Sequence, residues 1–227
     1  MAQSRTKDMT QGPILPLIVK FSLPLLMGNL FQQTYNLVDT AIVGQTLGAK
    51  ALAAVGSSTS IQFLVMGFCI GMSLGFSIPV GQRFGAKDYS GMHRYEYAGG
   101  ILAALFAALV TLLTTVFCNH ILHLLQVPEE IFHDAWVYLI IIFCEIPFTV
   151  MYNYLAGLMR AIGDSKTPFI YLAVASVLNI GLDFLFIVNV GMGVAGAALA
   201  TVLSQALLAL LCLYAVARRY DVLHIEE

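Results

Sequence analysis

Three carboxylates, Asp39, Glu145 and Asp183, stand inside long apolar runs. A carboxylate at membrane depth costs roughly 2.5–3.5 kcal/mol on the insertion scale, so an acid kept there is by default a functional residue. Asp39 has polar company at helical spacing. Asn29, Gln32, Gln33, Asn36 and Thr40 recur with it at steps of three and four, a sector of roughly 120° at 100° per residue. The other face, including Leu30, Leu37, Val38, Ile42 and Val43, is expected to be apolar. Lipid cannot satisfy polar groups, so such a stripe must face protein or a water-filled cavity. Amide contacts between helices, worth about 1 kcal/mol each, account for Asn29 but not for Asp39.

Asp183 repeats the pattern. Asn179 lies four residues earlier and shares its face. Each of the two acids is followed by a short stretch, a Gly-containing turn and a helix of small residues. Both acids therefore fall at one depth, roughly 12 Å from the end of their helices at 1.5 Å per residue. Two carboxylates at one depth imply a shared site if their helices face one cavity. Burial disfavours the charged form, and neighbouring carboxylates resist ionising together. Such a pair can load and release a proton. The same oxygens at Asp39 and Asp183, with the Asn179 carbonyl and a hydroxyl such as that of Thr201, can instead hold Na⁺. Both ions stay open at this point.

Glu145 is seven residues from both Tyr138 and Tyr152, so the three share a face. A place in the site and a plain hydrogen bond to a neighbouring helix are equally open for it. Tyr138, Tyr152 and Asn153 are either cavity-lining or packing residues, since aromatics also anchor membrane helices. The four cysteines, Cys69, Cys118, Cys144 and Cys212, form no CxxC pair and read as small apolar core residues. His120 and His123 read as loop residues without metal-site company.

The elements that must position these groups are membrane helices. The chain has 227 residues, of which 59% are hydrophobic and 11% charged, against about 25% charged in soluble domains. Its mean hydropathy is +0.84. The eleven Lys and Arg are scattered along the chain in short clusters, and no nucleic-acid partner is expected. A span needs about 20 apolar residues. Six candidates run at roughly 14–43, 51–82, 95–118, 132–159, 168–189 and 194–217, an all-α lobe over 14–217. Residues 1–13 form an N-terminal segment and 218–227 a tail or the start of a linker. The first apolar stretch is too long for a signal peptide and is expected to remain as a span. Arg5, Lys7, Lys20, Arg83, Lys87, Arg94, Arg160, Lys166, Arg218 and Arg219 fall at one set of ends, and only Lys50 at the other. The positive-inside rule then puts both termini in the cytoplasm. Pro24, Pro79 and Pro147 each interrupt a span. Pro79 and Pro147 read as static kinks. Pro24 shares its helix with Asp39, so a bend there can be coupled to the acid.

The runs NLFQQTYNLVDTAIVGQTLGAKALAAVG (29–56), LMRAIGDSKTP (158–168) and NIGLDFLFIVNVGMGVAGAALATVLSQ (179–205) together resemble the multidrug and toxic compound extrusion (MATE) transporters, in their DinF-like branch. The resemblance covers essentially the whole chain. It implies the N-terminal lobe of a two-lobe, twelve-helix exporter in the cytoplasmic membrane of a bacterium. It also implies antiport of organic cations or other amphipathic molecules against H⁺ or Na⁺, with no other cofactor. It assigns Asp39 and Asp183 to the ion site, Asn179 and Thr201 to its polar neighbours and Tyr138 to a nearby tyrosine. Pro24 becomes a hinge, and Gln32, Tyr35, Asn36 and Asn153 become cavity-lining residues. The chain departs from the pattern in its length, which implies a missing C-terminal lobe or a second copy as partner. It departs again at Glu145, where a small or apolar residue is expected. Two rival functions remain: a lipid-linked oligosaccharide flippase of the same superfamily, and a non-transporting assembly lobe. The first would require cations deep in the spans, and none is present. No nucleophile motif, metal spacing or phosphate loop supports an enzyme. The glycines of GMGVAGAA follow a membrane turn rather than a strand and suit close helix packing.

Overall fold

The computed structural model describes residues 12–223. Arg5, Lys7 and residues 224–227 lie outside the described residues. Six helical spans cover Ile14–Leu47, Ala49–Gly85, Tyr89–Leu124, Glu129–Ala161, Lys166–Asn189 and Val194–Arg219. Most of their ends lie a few residues beyond the apolar runs, because polar first and last turns continue a helix without being apolar. The third is the clearest case. It carries His120 and His123 inside the helix rather than in a loop, with the His123 ring set edge-on to Phe132 at 4.8 Å.

The first three spans are single helices, α1 (Ile14–Leu47), α2 (Ala49–Gly85) and α3 (Tyr89–Leu124). Gly48 alone separates α1 from α2, at φ 84°. A side chain there would meet no neighbour, so the requirement is for the backbone conformation that glycine adopts cheaply. Asp88 starts α3: its carboxylate accepts from the Gly91 N–H at 2.9 Å and pairs with Arg83 at 2.9 Å. That N–H first, and Arg83 after it, hold the carboxyl below the usual carboxylate range against a smaller opposing effect of burial.

The fourth span is two helices, α4 (Glu129–Phe143) and α5 (Ile146–Ala161). Pro147 has no N–H to offer the carbonyl four residues back, at Phe143, and the chain turns at Cys144–Glu145 before restarting. Cys144 is exposed at this break, unlike Cys69, Cys118 and Cys212, which are buried. The expectation that all four cysteines pack the core is corrected for Cys144. Pro24 and Pro79 do not break α1 or α2.

The fifth span changes winding. Its α-helix, α6 (Lys166–Asp183), ends on Asp183, and Phe184–Asn189 continues as a π-helix. Gly191 and Gly193, at φ 73° and 64°, turn the chain into α7 (Val194–Arg219). α2 packs on α3, α4 and α5, while α1 lies chiefly against α6 and α6 against α7. α2 and α5 meet closely: a Cβ on Gly157 would stand 2.7 Å from the Ser77 Cβ. The core gathers Met92, Leu122, Leu139, Phe143, Ile146, Leu158 and Met159, all nearly or wholly buried. Large apolar side chains such as Phe63, Leu64, Leu105, Leu112 and Leu213 point outward, which suits a lipid surround. This is a multi-pass membrane architecture.

Candidate functional site

α1 is the least embedded helix: only Gly28, Ile42 and Val43 are buried along its length. Its polar stripe lies across the boundary between the lobe interior and the open face. Gln32, Tyr35 and Asp39 turn inward and are half-buried, whereas Asn29, Gln33, Asn36 and Thr40 are exposed. Ile42 and Val43, expected on the opposite face, are on the inward side instead. At 100° per residue Val43 falls between Gln32 and Asn36, so it belongs to the polar sector.

Asp183 is fully buried at the end of α6, just before the π-helical turn. Its carboxyl group meets that of Asp39 at hydrogen-bonding range. Yet no protein donor reaches Asp39 Oδ1 or either Asp183 oxygen. Two ionised carboxylates have no hydrogen to share. The contact is a hydrogen bond when one of them is protonated, and a pair of cation ligands when neither is.

Asn179, 2% exposed, lies one turn before Asp183, and its Nδ2 is 3.5 Å from Thr201 Oγ1 on α7. The Thr201 hydroxyl donates to the Ala197 carbonyl at 3.2 Å. Asn179 Oδ1 accepts from no donor. Tyr35, Ser176, Asn179, Thr201, Ser204 and Gln205 contribute to a crevice between α1, α6 and α7 with room for about one water molecule. Tyr138, 4% exposed on α4, closes the site from the side. It packs among Ile42, Val43, Ile187, Val194 and Ala198 and lies in the field of Asp39 and Asp183. The sequence-predicted Asp39, Asp183, Asn179, Thr201, Tyr138 and Tyr35 are thus brought together, with Gln32 beside Tyr35 on α1.

The MatE family model matches residues 24–185, which takes in α1 with Asp39 through α6 with Asp183. The chain belongs to the MatE family. It is 38% identical over 205 residues to the probable multidrug resistance protein YpnP of Bacillus subtilis, covering 87% of this chain and 44% of YpnP. It is 27% identical over 219 residues to the multidrug export protein MepA of Staphylococcus aureus, covering 95% of this chain and 48% of MepA. A crystal structure of MATE in the bent conformation superposes with a TM-score of 0.85 at 27% identity, covering 99% of this chain and 49% of that one. The chain spans about half the length of the relatives it matches.

Other residues of this MatE lobe stand apart from the acid pair. Asn36 is on the open face, its amide 3.3 Å from Gln33 Oε1. Asn153 donates to the Thr149 carbonyl of its own helix at 2.8 Å and does not line the crevice. Pro24 is half-buried within an unbroken α1. Glu145 is 4% exposed at the α4–α5 break, where its Oε1 accepts from the Thr149 hydroxyl at 2.8 Å. Sequence reasoning passed over Ser176, Ser204 and Gln205. Their signal was spacing: Thr201 and Gln205 are one turn apart on α7, as Ser176 and Asn179 are on α6.

At the end opposite Gly48, Asp164 binds the turn between α5 and α6 to the segment after α7. Its carboxylate accepts from the Tyr220 and Thr167 hydroxyls, each at 2.6 Å, and from the Lys166 and Thr167 N–H groups, each at 3.0 Å. His93 Nε2 meets the Val222 carbonyl at 2.8 Å nearby.

Proposed function

We propose that this chain is the N-terminal lobe of a multidrug exporter driven by an inward gradient of H⁺ or Na⁺. The observation that carries this reading is the contact of the Asp39 and Asp183 carboxyl groups with no protein donor between them. An H⁺ or Na⁺ bound there cancels one of the pair's two negative charges and bridges the carboxyl groups. Asn179 Oδ1, which accepts from no donor, and the Thr201 hydroxyl beside Asn179 would complete the shell if the ion is Na⁺. The lost charge weakens the field on Tyr138, and the bridge replaces carboxylate repulsion between α1 and α6, which reseats α1. Pro24 then supplies the bend, since α1 has few buried contacts to resist it. The exposed face of Asn29, Gln33, Asn36 and Thr40 would line the substrate cavity opposite a second six-helix lobe, with residues after Arg219 starting the connection. The substrates would be organic cations or similar amphipathic molecules. The basic ends would face the cytoplasm, with the protein in the cytoplasmic membrane.

The test is dye efflux from vesicles holding the full-length protein with Asp39→Asn. Gradient-driven efflux should disappear while the protein still inserts. Efflux that still follows the imposed gradient would sink the reading.

A further inference from the structure

Glu145 is a buried membrane carboxyl that the Asp39–Asp183 chemistry does not use. It is held at the α4–α5 break, and only one of its oxygens is satisfied by the Thr149 hydroxyl. Glu145 Oε2 has no hydrogen-bonding partner. Gln205, 8% exposed on α7, brings its side-chain amide to the same carboxyl. Gln205 Oε1 is likewise without a donor, and Gln205 also lines the crevice beside Asn179 and Thr201. The amide N–H side thus faces the carboxylate, while Glu145 Oε2 and Gln205 Oε1 remain buried acceptors without a donor, a costly arrangement for groups that serve only structure.

A proton on Glu145 supplies a missing hydrogen, because once the amide turns the Glu145 O–H donates to Gln205 Oε1. When the proton leaves, the amide can turn and offer its NH₂ to the carboxylate. A primary amide suits both states, since it carries a donor and an acceptor on one side chain. Hard cations such as Ca²⁺ and Mg²⁺ collect six or more oxygen ligands, and this cluster supplies fewer. The groups facing Glu145 carry no fixed charge. Tyr35 on α1 and Tyr138 on α4 feel its field, and both also feel that of Asp39. The only basic residues of α2, Lys50 and Arg83, are near its ends, and Arg160 of α5 faces Tyr152 and Cys212 instead. Along α1 Tyr35 is one turn from Asp39, and along α7 Gln205 is one turn from Thr201. Glu145 thus sits about one helical turn from the acid pair, toward the Arg-rich end.

We propose that Glu145 is a second proton-carrying station, separate from the Asp39–Asp183 pair, with Gln205 as the partner that serves both of its charge states. The proposal extends the cation-coupled reading above, and the two fail separately in one experiment. The protonated-carboxyl C=O band is followed by infrared difference spectroscopy across pH, using the full-length protein in lipid vesicles. In Asp39→Asn/Asp183→Asn a titrating band should remain, and adding Glu145→Gln should remove it. Adding Gln205→Leu instead should change the proton affinity of that band at least tenfold. Absence of a titrating band from the double variant overturns the proposal, while the signal lost on replacing the pair still reports on Asp39 and Asp183. If Glu145→Gln fails to fold, Gln205→Leu decides alone: an unmoved titration overturns the proposal.

Discussion

The Asp164 carboxylate accepts a 2.6 Å hydrogen bond from the Tyr220 hydroxyl, although the two residues are 56 positions apart. Asp164 closes the turn before α6, and Tyr220 is the first residue after α7. The contact therefore ties two spans together at the point where the chain leaves the lobe. Tyr220→Phe keeps the ring and removes the donor. Hydrogen bonds to charged groups contribute about 1.5–3 kcal/mol, and the variant should lose about that much. Thermal unfolding in detergent checks it, and an unchanged midpoint would show that the contact is idle.

The same carboxylate gives a pH signature. Burial pushes the Asp164 carboxyl up, but hydrogen bonds from the Thr167 and Tyr220 hydroxyls and two backbone N–H groups outweigh it and hold it below the ordinary carboxylate range. A group lowered on folding stabilises the fold above its unfolded value of about 3.9. That contribution fades as pH falls through the lower folded value. The stability gap between the native sequence and Asp164→Asn should therefore be constant near neutrality and narrow in acid. A gap that widened in acid would reverse the sign of this argument.

Gly157 packs where α5 crosses Ser77 of α2, and an added Cβ would lie 2.5 Å from the Ser77 hydroxyl oxygen. Gly157→Ala should cost about 1–3 kcal/mol through overpacking. Adding Ser77→Gly should recover much of that loss, because it empties the space the new methyl needs. Failure of the second change to rescue the first would place the strain elsewhere.

The meeting of Asp39 and Asp183 can be trapped. With Cys69, Cys118, Cys144 and Cys212 replaced, Asp39→Cys with Asp183→Cys should crosslink readily under mild oxidation. Asn36→Cys with Asp183→Cys should not, because Asn36 is on the open face. Equal crosslinking of both pairs would contradict the inward turn of Asp39.

The six spans were legible because runs of about 20 apolar residues leave the chain little else to do in a bilayer. The union of Asp39, Asp183, Asn179 and Thr201 was legible for a related reason, since polar side chains in membrane helices must converge. Other features had no such signature. Phe184–Asn189 reads as ordinary apolar helix, and nothing in FLFIVN announces the change of winding after Asp183. Pro147 marked a kink, but whether the span would bend or divide depended on the packing of α4 and α5 around Glu145. Val43 was misplaced by counting polar neighbours instead of working out its angle. Gln205 went unremarked because one amide among small residues stands out only when α7 is seen against the α4–α5 break.

Gly48 has a mechanical consequence. α1 is 34 residues long, about 51 Å at 1.5 Å per residue, and one glycine joins it to α2. One end of this rod is moored, while most of its shaft is loosely seated. A swing of about 10° at the mooring sweeps the far tip through about 9 Å, by the arc of a rod of that length. Asp39, close to the mooring, moves far less. Pivoted there as one body, the helix would be a lever with its sensor near the fulcrum, and a sub-ångström change at the carboxylates would be read out several-fold larger at the opposite membrane surface.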